Sequence, residues 1–215
     1  MIRRTKTLQA VTLVAATITT GLMAGLFAAF GYAVMPGLSH DADRSYVESM
    51  QHINDAILNP VFMLCFMGAF GLIALGAVLA WRGHDRATLP WLILALVLYA
   101  ATFVVTSAVD VPLNDQLARA GDPTHIHDLA AVRDTFHTPW VISNAVRALL
   151  NLAAFGALSW ALVVFGRVTA GSSAAGAAAS SAAPQPRVPA FTPAPQPGPG
   201  WSGQPQGEHA PGSRG

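Results

Sequence analysis

The sequence has few charged side chains and a single cysteine. Only 11% of its 215 residues are Asp, Glu, Lys or Arg, whereas a soluble domain usually carries about 25%. This scarcity argues against a soluble globular enzyme and against a nucleic-acid-binding protein. Cys65 alone can form neither an internal disulfide nor a cysteine-based metal cluster, so a disulfide-rich secreted domain is also disfavoured. The excess lies in apolar residues, which make up 53% of the chain.

Long apolar segments dominate the first 167 residues. They predict four helices at about 8–35, 61–81, 89–109 and 140–165. Each is long enough to cross a bilayer core of about 30 Å, which needs about 20 helical residues. Basic residues before the first segment resemble a signal peptide, but that segment is about twice as long as a cleaved signal's apolar core. We therefore predict an all-α, four-transmembrane-helix bundle whose first helix is not cleaved.

The last 48 residues differ sharply in composition from the rest. Residues 168–215 hold nine of the 15 prolines and eight of the 19 glycines, and they offer few apolar side chains to bury. We therefore divide the chain into a transmembrane domain, 1–167, and a disordered Pro/Gly/Ala-rich tail, 168–215. The tail is interpreted as a passive solubilising segment, with a Pro-rich docking ligand as the alternative.

Charges are sorted between the two ends of the predicted bundle. The N-terminus, the Arg82–Thr88 loop, and the tail together with Arg167 just before it hold eight of the 12 basic residues against two acids. The opposite side holds nine of the 11 acids. By the positive-inside rule, both termini should face the cytoplasm of a multi-pass cell-membrane protein.

The two outer connections, 36–60 and 110–139, are long enough to carry structure of their own. Apolar residues recur at spacings of three and four across Arg44–Leu58, which predicts an amphipathic helix. A shorter helix is predicted over His125–Phe136, after a Gly-Asp-Pro turn. These segments would form a cap over the outer mouth of the bundle.

One ionisable residue lies deep within a predicted membrane helix, and such residues are functional candidates because their burial is costly. Arg147 shares a helix face with Asn144 and Asn151. Asp110, at the outer end of the third helix, is its natural partner. The group is either a polar clamp that locks helices together or a ligand or catalytic site, and both interpretations stay open.

Five of the seven histidines lie on the outer side, but their spacing matches no strong metal motif. His125-x-His127-Asp128 has ligand chemistry, yet solvated loop residues are the favoured interpretation, and no metal is predicted. No histidine lies within the four apolar segments, which argues against haem. His52, near Asn54 and Asp55 on the amphipathic segment, is the candidate general acid or base, with a purely structural histidine as the alternative.

Four segments together resemble the anthrone-oxygenase-like family of small four-helix membrane proteins, many known only as a domain of unknown function. The similarity covers about residues 8–165. In the third segment, Asp110 stands where Asn would be expected. The segments are Gly21-Leu-Met-Ala-Gly-Leu-Phe-Ala-Ala-Phe30 with Met35-Pro36; Met50-Gln-His-Ile-Asn54 with Asn59-Pro60; Thr106 with Asp110-Val-Pro-Leu-Asn-Asp115; and Trp140 with Asn144-x-x-Arg147.

The resemblance implies an oxygenase that converts an anthrone to an anthraquinone without a recognised metal or flavin, so no cofactor is expected. It implies that His52 acts as the base and that Arg147 stabilises the developing oxyanion. The residues expected to contact substrate are Asn54, Asn59, Asp110, Asn114, Trp140 and Asn144.

Two hypotheses about function therefore stand, and whether the protein is an enzyme stays open. The first is an outward-facing pocket for an aromatic or quinone-like lipophilic molecule. The second is a non-enzymatic structural or accessory membrane protein whose polar stripe only stabilises the bundle; a transporter is a weaker third. The expected partners are the lipid bilayer and a lipophilic small molecule, with no nucleic acid, and a homo-oligomer is left open.

Overall fold

The computed structural model describes residues 2–83 and 86–181, and these residues contain helices and turns but no strand. Two π-helical turns, Phe30–Val34 and Thr106–Asp110, interrupt the α-helical geometry. The α-helices in chain order are α1, Ile2–Ala29; α2, Met35–Leu38; α3, Asp43–Ile57; α4, Pro60–Arg82; α5, Leu89–Val105; α6, Val111–Arg119; and α7, Leu129–Ser181.

Four helical segments are long and apolar enough to cross a membrane: Thr5–Leu38, Pro60–Arg82, Leu89–Arg119 and Leu129–Ala175. This confirms the predicted all-α class and the four spans, and the protein is a multi-pass membrane protein. α1 packs against α4 and α7, and α5 packs against α7 and α4.

Small residues let these helices approach closely. Ala16, Ala69, Ala95 and Ala157 lie in the transmembrane core with Leu158. A Cβ added at Gly21 would lie 3.0 Å from the Phe155 ring, whereas one added at Gly25 would meet nothing within 4 Å. α1 therefore makes a close contact at Gly21 but not at Gly25.

The fourth helix is longer than its predicted bounds of 140–165. α7 has 53 residues, or about 80 Å at 1.5 Å per residue. It begins at Leu129, so the separate short helix predicted over His125–Phe136 is wrong: its last turns belong to α7. Pro139 lies inside α7 and has no backbone N–H to donate to the preceding turn. The part of α7 before Pro139 packs against α3 and α6 through Val132 and Phe136.

The C-terminal end of α7 also extends past residue 167, where the sequence placed the start of the tail. Residues 168–181 are helical, and alanine, the strongest helix former, is frequent among them. The rest of the predicted disordered tail, 182–215, lies outside the described residues.

Each π-helical turn directly precedes a proline-containing helix start. The Met35 N–H donates to the Phe30 carbonyl, and the Val111 N–H donates to the Thr106 carbonyl, in both cases five residues back. Pro36 and Pro112 follow and cannot donate a backbone hydrogen bond. Such turns often occur at functional sites, and the second one carries Thr106 and Asp110.

α2, α3, α6 and the N-terminal turns of α7 form a cap at one end of the bundle, with a core of its own. The predicted amphipathic helix is confirmed as α3, which buries Tyr46, Val47 and Met50 against residues of α6 and α7. The Gln51 amide donates to the carbonyls of Leu117, at 2.9 Å, and Gly121, at 3.0 Å. Gly121 has a φ of 82°, a conformation that glycine adopts without steric cost.

A second link closes the other side of the cap. The Arg133 guanidinium donates to the Asp43 carboxylate at 2.9 Å and to the Ser39 carbonyl at 2.7 Å. It also lies over the Tyr46 ring, 4.6 Å from the centroid. Burial raises the pKa of Tyr46 to about 12, against the opposing effect of Arg133. These contacts hold α3 across the mouth of the bundle.

Candidate functional site

An ion pair joins α7 to the π-helical turn after α5. An Arg147 guanidinium nitrogen lies 3.0 Å from Asp110 Oδ1, and the two side chains are only 8% and 2% exposed. The Ser143 hydroxyl donates to the same Asp110 oxygen at 2.7 Å. The predicted pairing of Arg147 with Asp110 is confirmed. Ser143 joins this pair through its hydrogen bond to Asp110, a contact that the sequence did not indicate.

Asparagines extend this polar group along α7 and connect it to two other helices. Asn144 accepts from Arg147 at 3.2 Å and donates to the Phe27 carbonyl of α1 at 2.9 Å. One turn beyond Arg147, Asn151 donates to the Thr102 hydroxyl of α5 at 3.0 Å. The predicted shared face of Asn144, Arg147 and Asn151 is therefore polar, buried and interhelical.

Aromatic rings surround the charged head of Arg147. Its guanidinium carbon lies 4.6 Å from the Phe27 ring centroid and 5.7 Å from that of Trp140. The Trp140 indole N–H donates to Asn114 Oδ1 at 3.1 Å. Trp140 and Asn114, both predicted to contact substrate, are thus fixed to each other beside the ion pair.

These residues line a cavity of about 90 Å³, which we call the inner pocket. It brings together five of the six predicted substrate contacts and the predicted oxyanion stabiliser. Its walls are largely apolar and aromatic, and the sequence could not single these wall residues out from other membrane-facing ones. The lining residues are Leu26, Phe27, Phe30, Ile53, Asn54, Ile57, Leu58, Phe62, Thr106, Asp110, Val111, Asn114, Trp140, Asn144 and Arg147.

Unpartnered polar atoms concentrate around the inner pocket. Among the described residues, six buried side-chain nitrogen or oxygen atoms lack a hydrogen-bond partner, and four of them belong to residues that line it. Buried polar groups in native proteins are nearly always satisfied by protein, water or ligand. The four atoms are Asn54 Nδ2, Thr106 Oγ1, Asp110 Oδ2 and Arg147 Nε.

A wider cavity of about 400 Å³, the outer groove, adjoins the inner pocket. The two cavities share Asn54, Leu58, Val111 and Asn114. His52 lines the outer groove and does not line the inner pocket, so the predicted base and Arg147 occupy neighbouring cavities.

The outer groove is lined by the carboxylates of Asp55, Asp115 and Asp122, with His52 beside them and no lysine or arginine among the residues that the structure describes. The backbone N–H of Thr124 donates to the Asp122 carboxylate at 2.8 Å and keeps the pKa of Asp122 below its usual range. The groove therefore presents negative charge at neutral pH.

Asn59 lies outside both cavities. Its side chain accepts from the backbone N–H groups of Val61 and Phe62, each at 3.0 Å, and donates to the Ala56 carbonyl. This is the N-cap of α4, which gives Asn59 a structural role, and its contact with substrate stays a prediction.

Metal-ligating side chains do not cluster within 2–83 and 86–181, where no group of three or more His, Cys, Asp or Glu is placed to hold an ion. His125 instead bonds with its neighbour Thr124 and lies 3.6 Å from Asp122.

The fold and the two cavities define a four-span membrane protein with a small, polar-tipped pocket at one end of its bundle. Residues 62–157 match the family model described as anthrone oxygenase. This part of the chain is similar to anthrone oxygenases, which supports the resemblance noted in the sequence. No curated protein and no solved structure matches it. The matched segment contains Asp110, Asn114, Trp140, Asn144 and Arg147, whereas the part of the site on α3 precedes it.

Proposed function

We propose that this membrane protein binds a lipophilic aromatic or quinone-like molecule in the inner pocket and oxygenates it. The observation that carries the proposal is the set of four unpartnered polar atoms on residues around a cavity walled by aromatic and aliphatic side chains. Small-molecule sites typically combine such apolar walls with a few convergent polar groups.

The cavity sizes favour a ligand that spans both spaces. The inner pocket, at about 90 Å³, is smaller than the roughly 300–1,000 Å³ of most small-molecule sites. The outer groove, at about 400 Å³, falls within that range. A ring system would therefore place one oxygen-bearing edge in the inner pocket while its remaining atoms occupy the groove.

The separation of His52 from Arg147 suits the chemistry of an anthrone. In that molecule, the carbonyl and the methylene group lie on opposite sides of the central ring. The carbonyl oxygen would meet Arg147, and the methylene carbon would face His52. Removal of a methylene proton by His52 would then place negative charge on the oxygen beside the guanidinium.

Dioxygen completes the balance of this reaction. The carbanion adds to O₂ and takes up a proton, giving a hydroperoxide at the former methylene carbon. Loss of water from the hydroperoxide leaves a second carbonyl. One O₂ is consumed and one water is released for each anthrone converted to anthraquinone.

A second candidate function is purely structural, and the interhelical polar contacts favour it. The contacts of Asn144 with Phe27, Asn151 with Thr102 and Arg147 with Asp110 tie α7 to α1 and α5. Such contacts contribute about 0.6–2 kcal/mol each in membranes. In this case the same residues would hold the bundle together without binding a ligand.

Oxygen uptake distinguishes the two candidates. The purified protein in lipid nanodiscs should consume O₂ and form anthraquinone from anthrone faster than empty nanodiscs, which report spontaneous oxidation. His52→Ala should lower the protein-dependent rate by about 100-fold or more, as expected for loss of a general base. His40→Ala is the matched control, because His40 is exposed and lines neither cavity.

Arg147→Ala should lower both this rate and the binding of anthraquinone, the expected product. Equal oxygen uptake and equal binding in wild type, His52→Ala and Arg147→Ala, with all three folded, would overturn the proposed function and leave the structural candidate.

The orientation proposed from charge places both termini in the cytoplasm and the outer groove outside the cell. Single cysteines at Ser39 and Gly83, introduced after Cys65→Ala, test this arrangement. A membrane-impermeant thiol reagent added to intact cells should label position 39 and spare position 83. The reverse labelling pattern would contradict the orientation.

A further inference from the structure

The inner pocket contains two opposite charges that neutralise each other. Within the described part of the chain, Arg147 and Asp110 are the only charged residues that line it, and they lie 3.0 Å apart. A buried guanidinium without a partner attracts anions strongly, because charges interact more strongly where water is scarce. The Asp110 carboxylate already compensates this charge, so a ligand that arrives with a permanent negative charge gains no net attraction. Arg147 Nε has no partner within residues 2–83 and 86–181 and can still donate a hydrogen bond to an oxygen of a neutral ring system.

The approach to the pocket adds a second barrier to anions. Among the described residues, the outer groove, which shares four residues with the inner pocket, is lined by Asp55, Asp115 and Asp122 and by no lysine or arginine. An anion that approaches through this groove passes these carboxylates before it reaches Arg147. A cleft lined by charges of one sign attracts ligands of the opposite charge and repels ligands of the same charge.

We propose that Asp110 is the specificity-determining residue of this site: by neutralising Arg147, it restricts the inner pocket to ligands that carry no charge. The inference rests on the proposed function, because it assumes that the inner pocket binds a small molecule. Carbonyl or hydroxyl oxygens of a neutral ring system fit this requirement, whereas carboxylates, sulfonates and phosphates do not.

The partners of Asp110 support this assignment. Its Oδ1 receives Ser143 and Arg147, which fixes the carboxylate in place, and its Oδ2 is buried without a partner. If Asp110 were replaced by asparagine, the side chain would keep nearly the same shape, but Arg147 would lose its counter-charge. The pocket would then carry a net positive charge and should accept an anion.

A binding experiment with two probes tests the proposal. 9,10-Anthraquinone is neutral, and anthraquinone-2-sulfonate has the same ring system with one negative charge. Equilibrium binding is measured with full-length protein in nanodiscs and corrected with empty nanodiscs for partition into lipid. Wild type should bind the neutral probe at least about tenfold more tightly than the sulfonate, a ratio well within the reach of one buried charge.

Asp110→Asn should bind the sulfonate about tenfold more tightly than wild type does and change its affinity for the neutral probe far less. Glu48→Gln is the matched control, since it removes one exposed carboxylate of the cap that lines neither cavity. It should leave both affinities unchanged. A gain of affinity cannot arise from partial unfolding, so this outcome supports the specific role of Asp110.

Two results overturn the inference and leave the proposed function intact: equal binding of both probes by wild type, or an unchanged ratio in Asp110→Asn. Binding of neither probe by wild type overturns the proposed function as well. If Asp110→Asn does not fold, the double variant Asp110→Asn/Arg147→Gln removes both charges and should keep the wild-type preference. Tight sulfonate binding by that variant would equally refute the role of Asp110.

Discussion

Replacing Arg147 alone should destabilise the bundle far more than replacing Arg147 and Asp110 together. Arg147→Met keeps an apolar side chain between Phe27 and Trp140 but leaves the Asp110 carboxylate buried with only Ser143 as a partner. Removing one partner of a buried ion pair costs about 3–5 kcal/mol, mostly because the remaining charge is unpaired. The adjoining cavity of about 90 Å³ has room for water beside the carboxylate, which favours the lower end, about 3 kcal/mol.

The double variant Asp110→Leu/Arg147→Met removes the unpaired charge and should cost about 1 kcal/mol or less, since apolar replacements of buried ion pairs are often neutral. Ser143 still donates to the Trp140 carbonyl, at 2.9 Å, after Asp110 is lost. Unfolding in mixed micelles with increasing SDS, followed by far-UV circular dichroism, gives the free energy of unfolding for each variant. A double variant that costs the sum of the two single variants would refute this reasoning.

Three further predictions concern the supporting structure. Gly21→Ala should cost about 1–3 kcal/mol in the same unfolding assay, because its Cβ would press on Phe155, whereas Gly25→Ala should be near neutral, and equal effects would contradict the packing. Asn59→Ala should cost about 0.5–2 kcal/mol through loss of the α4 cap, and an unchanged free energy of unfolding would exclude that role. Tyr46 should stay protonated up to a pH near 12, and the stability that this gives should fall as the pH rises from about 10 to 12. The ultraviolet absorbance of wild type and Tyr46→Phe, compared across this pH range, gives the pKa of Tyr46, and a pKa near 10 would contradict its burial.

Composition and charge were sufficient to predict the spans and the central ion pair. Long apolar segments have few alternatives to membrane helices, and a lone arginine inside one requires a partner. Asp110 was the acid at the matching depth on a neighbouring helix, so Arg147 and Asp110 could be paired from sequence alone.

The shape of the site could not be predicted in the same way. Nothing in the apolar pattern distinguishes Phe27 or Phe62, which line the inner pocket, from apolar residues that face lipid, because both kinds are hydrophobic. Asn59 caps α4, and this role could have been predicted from its position directly before Pro60, because asparagine is common at the N-cap and proline at the first helical position. His52 was placed correctly on an amphipathic helix, yet which cavity it lines depends on how the cap folds over the bundle.

The π-helical turn at Thr106–Asp110 has a consequence for how the two ends of the molecule can vary. It acts as a one-residue insertion, so α6 is rotated by about 100° relative to the course that α5 would otherwise follow. The face that packs inside the membrane and the face that packs in the cap are therefore set independently, although one continuous segment carries both. Loss of a single residue there would turn either Asp110 away from Arg147 or Leu117 out of the cap core, so the length of this turn is as strict a requirement as the identity of its last residue.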